Sequence, residues 1–360
     1  MKILVLPGDG IGPEITYATL MVLNHAIQRE KININFEIQD VGLKALENHG
    51  TTLPDTTWRK AEEADGIILA PLSTYEYPYG CINPSAEFRT KLNLFANFRP
   101  CKKIGILKDS KQKMDLVIVR ENTEGFYSSR SMYRGCGEFM PDPRTAFAIR
   151  KITVDATTSI SNAAFALARK RKQHVAVIHK ANVLQISDGL FLKTVSEVAK
   201  NYPEITVTNM LVDSAAAMII RDPERFDVIL TTNMFGDIIS NVASEISGGL
   251  GLASSLNASN NIAMAQASHG SAPDIANKNI SNPTGLILSS SLLLAWLAEK
   301  HQRPDLLRAA SRIEAAIEKT LSHKSTLTVD LGGELGTKEF SQAVISNYSS
   351  PTQTENKEIV

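Results

Sequence analysis

The feature that most constrains this chain is an alternation of short apolar, β-branched runs with longer segments of helical period. Ile3–Leu6, Ile67–Ala70, Leu116–Val119, Val175–His179 and Val228–Thr232 are each bounded by turn-forming residues. Their alternation with helical segments predicts an α/β fold. At 360 residues the chain exceeds what one core normally reaches. Two interlocked domains are expected.

Composition narrows the class further. Lys and Arg together number 38, as do Asp and Glu, so there is no basic excess to draw the chain to a nucleic-acid backbone. Cys81, Cys101 and Cys136 are too few and too irregularly spaced for a disulfide framework or a structural zinc site, and are expected to be free thiols. The start, Met1 to Gly8, has one basic residue and a short apolar run without a small-residue cleavage site, so it predicts a buried strand rather than a signal peptide. Leu286 to Ala298 is too short to span a bilayer and holds a serine cluster. A cytoplasmic protein without membrane or nucleic-acid partners is expected. After Asp155, residues Ile160, Ala163, Ala164, Leu167 and Ala168 fall on one helical face, and the basic run Arg169–Lys172 suits that helix's C-terminal end. Tyr127–Pro143, rich in Gly, Ser, Arg and Pro, predicts an excursion that can clasp a second subunit, and the polar tail from about Ser349 is expected to fray.

Several segments carry chemistry. Gly8-Asp9-Gly10-Ile11-Gly12-Pro13-Glu14 follows the first strand, but its glycines fall at every second position and Pro13 replaces a glycine needed for a dinucleotide fingerprint. A tight strand-to-helix turn accounts for it equally well. Arg89, Arg99 and Arg120 suit a polyacid, because guanidinium groups grip carboxylates as bidentate forks. Taken singly, each is more often a surface ion-pair partner. His179-Lys180-Ala181-Asn182 ends a strand, where α/β sites form, and Asp213 follows later. Asp237 and Asn241 are four apart and so share a helix face, an arrangement suited to a hard divalent cation; a helix N-cap is an equal reading of Asp237. The loop His269-Gly270-Ser271-Ala272-Pro273-Asp274-Ile275, with Asn282 beyond it, can present backbone amides to phosphates.

In this order, from Gly8 to about Gly336, the segments resemble the β-decarboxylating dehydrogenases, which include isocitrate, homoisocitrate, 3-isopropylmalate, and tartrate or D-malate dehydrogenases. The resemblance implies a two-domain isocitrate/isopropylmalate dehydrogenase-like α/β fold, not a Rossmann fold, in an intertwined homodimer. Residues 1–98 and 247–360 would form the large domain with the cofactor loops, and 99–246 the small domain, with an arm at about 127–143. Arg89, Arg99 and Arg120 are then the substrate-carboxylate clamp, and Tyr127 the acid that protonates the enol. Lys180 and Asn182 would reach the partner's cleft. Asp213, also donated across the dimer, and Asp237 would hold Mg2+ or Mn2+. His269, Gly270, Ser271, Ala272, Pro273, Asp274, Ile275 and Asn282 would wrap the adenosine half of the cofactor. Asp274 can accept a bond from a free ribose 2′-hydroxyl and repels a 2′-phosphate, favouring NAD over NADP. Two positions depart from the family: Asn241 stands where a third metal aspartate is usual, and Gln266 where a glutamate is common.

The substrate-selecting segment Cys81–Arg89 is the least typical. Isocitrate enzymes place a serine and then an asparagine before the arginine, whereas this chain has Asn83 and Ser85 in swapped order. Polar groups facing a branched alkyl chain without partners cost about 1 to 3 kcal/mol each, which disfavours isopropylmalate. Ala86 sits where some homoisocitrate enzymes carry an arginine. The expected reaction is NAD-dependent oxidative decarboxylation of a (2R)-2-hydroxy di- or tricarboxylate. Isocitrate-like or homoisocitrate-like acids rank first, with isopropylmalate and tartrate or malate next. A non-catalytic regulatory subunit is the alternative of a different class, and Asn241 is its best support.

Overall fold

In a computed structural model, which describes residues 1–106, 113–127 and 137–348, the chain folds around one twisted ten-stranded sheet. Twelve strands are present among the described residues: β1 (Lys2–Leu6), β2 (Asn35–Ile38), β3 (Gly66–Leu69), β4 (Ala96–Lys102), β5 (Asp115–Glu121), β6 (Glu138–Asp142), β7 (Thr145–Ala148), β8 (His174–His179), β9 (Thr206–Leu211), β10 (Val228–Thr231), β11 (Leu256–Ala258) and β12 (Ala263–Gln266). The sheet order is β2-β1-β3-β12-β11-β4-β5-β10-β8-β9, and β6 and β7 form a separate hairpin. All five apolar runs of the sequence lie in parallel-paired strands. They are apolar throughout because helices cover both faces.

Antiparallel strands interrupt the two parallel halves. β11 pairs antiparallel with both β12 and β4, and β4 pairs antiparallel with β5. That junction separates the fold from a doubly wound Rossmann sheet. Four apolar clusters flank the sheet. One packs helices Gly12–Arg29, Thr284–His301, Pro304–Thr320 and Thr337–Tyr348 on the β1 half, and the other face of that half is closed by Trp58 and Phe88. On the β8 half, helices Val154–Arg169 and Ser187–Ala199 cover one face, and Val212–Arg221 with Asn233–Ser247 the other.

The long apolar stretch around Leu286–Ala298 is the central helix Thr284–His301, buried on almost every side. Among the described residues, no helix is long and apolar enough to cross a membrane. The face expected of the helix after Asp155 is buried at Ile160, Ala164, Leu167 and Ala168, with Ala163 half-buried. The basic run closing it is spent on ion pairs: Arg169 with Glu204, Lys170 with Glu299, and Arg171 with Asp115 and Asp227.

Alternation along β4 places the site. Ala96 and Phe98 pack among apolar neighbours on one face, whereas Arg99 and Cys101 reach Ser240 and Ser244 of helix Asn233–Ser247 on the other. Hairpin β6–β7 is almost wholly exposed, with Phe139 stacked on Phe147 at 5.3 Å between centroids. Residues 128–136 of the expected arm, Cys136 and the tail from Ser349 lie outside the described residues; Cys81 and Cys101 are free thiols.

Candidate active site

The site is built at the C-terminal ends of β5 and β10, where Thr232 alone separates Thr231 from helix Asn233–Ser247. Arg120, near the end of β5, is buried, and its Nε and Nη2 donate to the backbone and side-chain oxygens of Asn233. Its Nη1 meets Asp237 Oδ1 at 2.6 Å. Gly236 makes that approach possible, since a Cβ there would sit 2.6 Å from Arg120 Cγ. Arg99 is buried beside it, donating to Asn97 Oδ1 at 2.6 Å and Ser240 Oγ at 2.6 Å, with Nη2 3.2 Å from the same Asp237 oxygen. Two desolvated guanidiniums thus share one carboxylate. Burial, reinforced by the Arg120 charge, lowers the Arg99 pKa to about 10, although Asp237 pulls it upward. It remains a cation at neutral pH.

Asp237 lies one turn inside its helix, not at its N-cap, which is Thr232. Its contacts to both arginines use Oδ1, and its side chain is partly exposed. Asn241, one turn on, is exposed on the same helix. Tyr127 lies against Arg120, whose Cζ is 5.9 Å from the phenol ring centroid. Arg89, on helix Pro84–Lys91, donates to Gln266 Oε1 at 2.9 Å, and Ser85 from the same helix contacts that amide at 3.3 Å. Asn83 instead caps the helix, its Oδ1 accepting from Ala86 N at 3.2 Å.

Lys180, just past β8, and Asp213, on helix Val212–Arg221, pair with each other at 2.7 Å. That bond to Lys180 lowers the Asp213 pKa. The loop holding Lys180 is fixed from beneath by a buried pair, Arg150 with Asp188, and Asp188 accepts the Lys180 backbone N–H at 2.6 Å. Asn182 is exposed in the same loop, between Lys180 and the exposed Val183 and Ile186. Among the described residues of one chain, no three His, Cys, Asp or Glu side chains gather closely enough to hold a metal ion.

The Gly8–Glu14 motif is a strand-to-helix turn. Gly8 and Gly10 have positive φ, and a Cβ on Gly10 would lie 2.0 Å from the Ser271 carbonyl oxygen. The Ile11 N–H donates to that carbonyl, and Ser271 Oγ bonds Ser73 Oγ, so this turn clamps the base of the His269–Ile275 loop. Gly270 faces open space, Ala272 is left-handed, and Asp274 is exposed on a short 3-10 turn. Burial lowers the His269 pKa, against the Gly270 carbonyl bond and the Asp330 charge, and the ring's Nε2 is buried with no hydrogen-bond partner. An orphaned ring nitrogen beside an open backbone segment fits a bound heterocycle. Asn282 is tied to Asp330 and accepts from Thr284 N, so its side chain shapes the loop's end.

Sequence reading missed several residues in this region. Asn97, Asn122, Ser240 and Asn257 are all buried within or beside the arginine cluster. The available signal was a polar residue inside an otherwise apolar strand, as in Leu256-Asn257-Ala258, since a buried amide must find partners.

A mixed α/β sheet whose strand ends bring two buried arginines onto one carboxylate suits a site for anionic small molecules. The family described as isocitrate/isopropylmalate dehydrogenase matches residues 2–344. The chain is 40% identical over 362 residues to the homoisocitrate dehydrogenase of Methanocaldococcus jannaschii, covering 97% of each. To the 3-isopropylmalate dehydrogenase of Archaeoglobus fulgidus it is 38% identical over 348 residues, covering 96% of this chain and 98% of the other. The crystal structure of isocitrate dehydrogenase from Methylococcus capsulatus superposes with a TM-score of 0.86 at 34% identity, covering 97% and 99% of the two chains. The chain belongs to the isocitrate/isopropylmalate dehydrogenase family and is a decarboxylating dehydrogenase of hydroxy acids. NAD or NADP and a divalent cation are general requirements of that family.

Proposed function

We propose that the chain catalyses NAD-dependent, Mg2+- or Mn2+-dependent oxidative decarboxylation of a (2R)-2-hydroxy di- or tricarboxylate, with isocitrate- or homoisocitrate-like acids preferred. The observation that carries this reading is the sharing of Asp237 by the buried Arg99 and Arg120. Together with Arg89 they give a cationic cleft whose charge a polycarboxylate balances. Ser85 beside Arg89 adds a hydroxyl where an isopropyl group would need an apolar wall.

Arg89, Arg99 and Arg120 hold the acid's carboxylates and fix its orientation. Lys180, next to Asp213, takes the proton of the substrate hydroxyl, and Tyr127 returns one to carbon after carbon dioxide leaves. A bound divalent cation would supply positive charge beside the substrate oxygen, and a bound nicotinamide would supply the hydride acceptor. Asp237, Asn241 and a second copy's Asp213 would hold the metal. His269–Ile275 would hold the dinucleotide, with the Asp274 carboxylate favouring a free ribose hydroxyl.

A homodimer with shared sites belongs to this reading. Its support is the exposure of Val183, Ile186, Phe139, Met140 and Phe147, together with a hairpin that is marginal alone in water. The division into 1–98 with 247–360 and 99–246 is supported by the separate apolar clusters on the two halves of the sheet. Cytoplasmic placement rests on the free thiols Cys81 and Cys101.

The test is a panel of isocitrate, homoisocitrate, 3-isopropylmalate, D-malate and tartrate, each with NAD or NADP and Mg2+ or Mn2+, followed at the reduced nicotinamide absorbance. Isocitrate or homoisocitrate should give the highest kcat/KM with NAD. A preference for isopropylmalate overturns the substrate ranking. A preference for NADP overturns the role of Asp274, whereas Asp274→Lys with Ile275→Tyr should shift the ratio toward NADP.

A further inference from the structure

Beneath the arginines runs a chain of neutral amides. Arg99 Nε donates to Asn97 Oδ1 at 2.6 Å, and Asn97 Nδ2 donates to Asn257 Oδ1 at 2.9 Å. Asn257 Oδ1 also receives Asn122 Nδ2 at 3.0 Å, and its own Nδ2 points toward Met264 O at 3.3 Å and Gln266 Oε1 at 3.5 Å. Gln266 Oε1 then accepts from Arg89 Nη2 at 2.9 Å, while Ser85 Oγ contacts the same amide at 3.3 Å. Asn97 and Asn257 are fully buried. The direction of the bonds is fixed at both ends, because a guanidinium can only donate and so forces an amide oxygen to face it.

The chain spans β4, β11, β12 and helix Pro84–Lys91, whose packing sets the distance between Arg89 and Arg99. Asn97 does for Arg99 what Gln266 does for Arg89. Amides orient both cations while adding no charge of their own. The step from Asn257 to Gln266 is the longest of the chain, and Gln266 is where it meets Arg89.

We propose that Gln266, anchored beside Asn257, is a positioning residue that aims the Arg89 guanidinium and so sets the carboxylate spacing the cleft accepts. This rests on the proposed hydroxy-acid activity and names the device that selects among such acids. Gln266→Met removes the acceptor at nearly the same volume. It should raise the KM of isocitrate or homoisocitrate about tenfold, the scale of one charge-assisted hydrogen bond, with kcat and the KM for NAD within about threefold. The preference between these two acids, which differ by one methylene, should narrow in the same variant. Gln266→Glu keeps an oxygen at the acceptor position and should restore most of the discrimination.

Unchanged acid KM in Gln266→Met, equal losses for acid and NAD, or a Gln266→Glu as impaired as Gln266→Met would each overturn the proposal. Thermal unfolding accompanies each variant, and should Gln266→Met not fold, Gln266→Asn withdraws the same amide by one methylene and must show the same split. Calorimetric titration of isocitrate with Mg2+ and without NAD separates the two readings. If the wild-type chain binds the acid but turns over none, the activity fails while a tenfold weaker binding by Gln266→Met still upholds the positioning role. A wild-type chain that binds no acid overturns both.

Discussion

Arg99 and Arg120 illustrate how a single buried position serves both fold and chemistry. Each guanidinium has lost most of its water, and the hydrogen bonds to Asn97, Ser240 and Asn233 replace only part of it. What remains is a demand for negative charge that one Asp237 oxygen cannot fill for both. In the proposed reaction Tyr127 and Lys180 transfer the protons, and neither is among the Arg99 and Arg120 hydrogen-bond partners Asn97, Ser240 and Asn233, so replacing them should leave this cluster standing. Tyr127→Phe and Lys180→Met should each lower kcat by roughly 10²- to 10⁴-fold, with the melting temperature and NAD affinity little changed. Near-normal turnover in either variant would remove that residue from the reaction.

Glu314 lies far from this chemistry, on helix Pro304–Thr320 facing Ser291. Burial pushes its carboxyl up to about 7, with Glu318 adding to the rise and Lys102 and the Ser291 bond opposing it. The folded chain therefore holds a proton that the unfolded chain has already released. The associated stability is fully present below the ordinary value of 4.5 and is lost as pH rises toward 7. The loss is on the order of 1–3 kcal/mol. Glu314→Gln, which cannot ionise, should raise the melting temperature at pH 8 and leave it nearly unchanged at pH 4.5. Equal shifts at both pH values would exclude titration as the cause.

Among the elements, legibility followed burial. β1, β3, β5, β8 and β10 are apolar at nearly every position because helices cover both faces, and that density is visible in the sequence. β4 was not legible. Its Asn97, Arg99 and Pro100 contradict strand propensity; Asn97 and Arg99 are tolerated because their face bonds to Asn257 and Ser240, and Pro100 because β11 pairs only with Ala96–Phe98 and asks no bond of it on that side. β2 is half-exposed and β11 is only three residues long, so neither carries a period to detect. The arginines could be named from the sequence; for Asn257 a polar residue between Leu256 and Ala258 signals burial, but its partners depend on strands distant in the chain. Helix Asn233–Ser247 was read correctly to the extent that Asp237 and Asn241 share a face. If that face meets the metal, Asn241→Asp places a charged ligand where a neutral one stood and should lower the metal concentration giving half-maximal rate. Equal metal requirements in both proteins would show that Asn241 does not touch the ion. Turnover in Asn241→Asp but not in wild type would establish the regulatory-subunit reading.

At the scale of the whole molecule, the proposed site divides into two groups. Arg99 and Arg120 converge on Asp237 with Tyr127 against Arg120, while Lys180 and Asp213 pair with each other, and Arg150 links the Lys180 loop to the start of helix Asn233–Ser247 through Asp188 and Thr232. Asp213 is largely exposed, and beside Lys180 lies a loop bearing Val183 and Ile186, whose exposure would be costly unless covered. Both facts fit a second copy in two-fold contact, each chain lending Lys180 and Asp213 to the other's arginines. The consequence is a complementation that a self-contained site cannot show. Chains carrying Arg120→Ala and chains carrying Lys180→Ala should each be nearly inactive alone. After subunit exchange, a mixed dimer has one site with both defects and one with neither. At equal mixing, half of the dimers are mixed, so activity should return to about a quarter of the wild-type rate per chain. Exchange is verified independently by mass-tagged chains, and verified exchange without recovered activity would mean that each chain closes its own site.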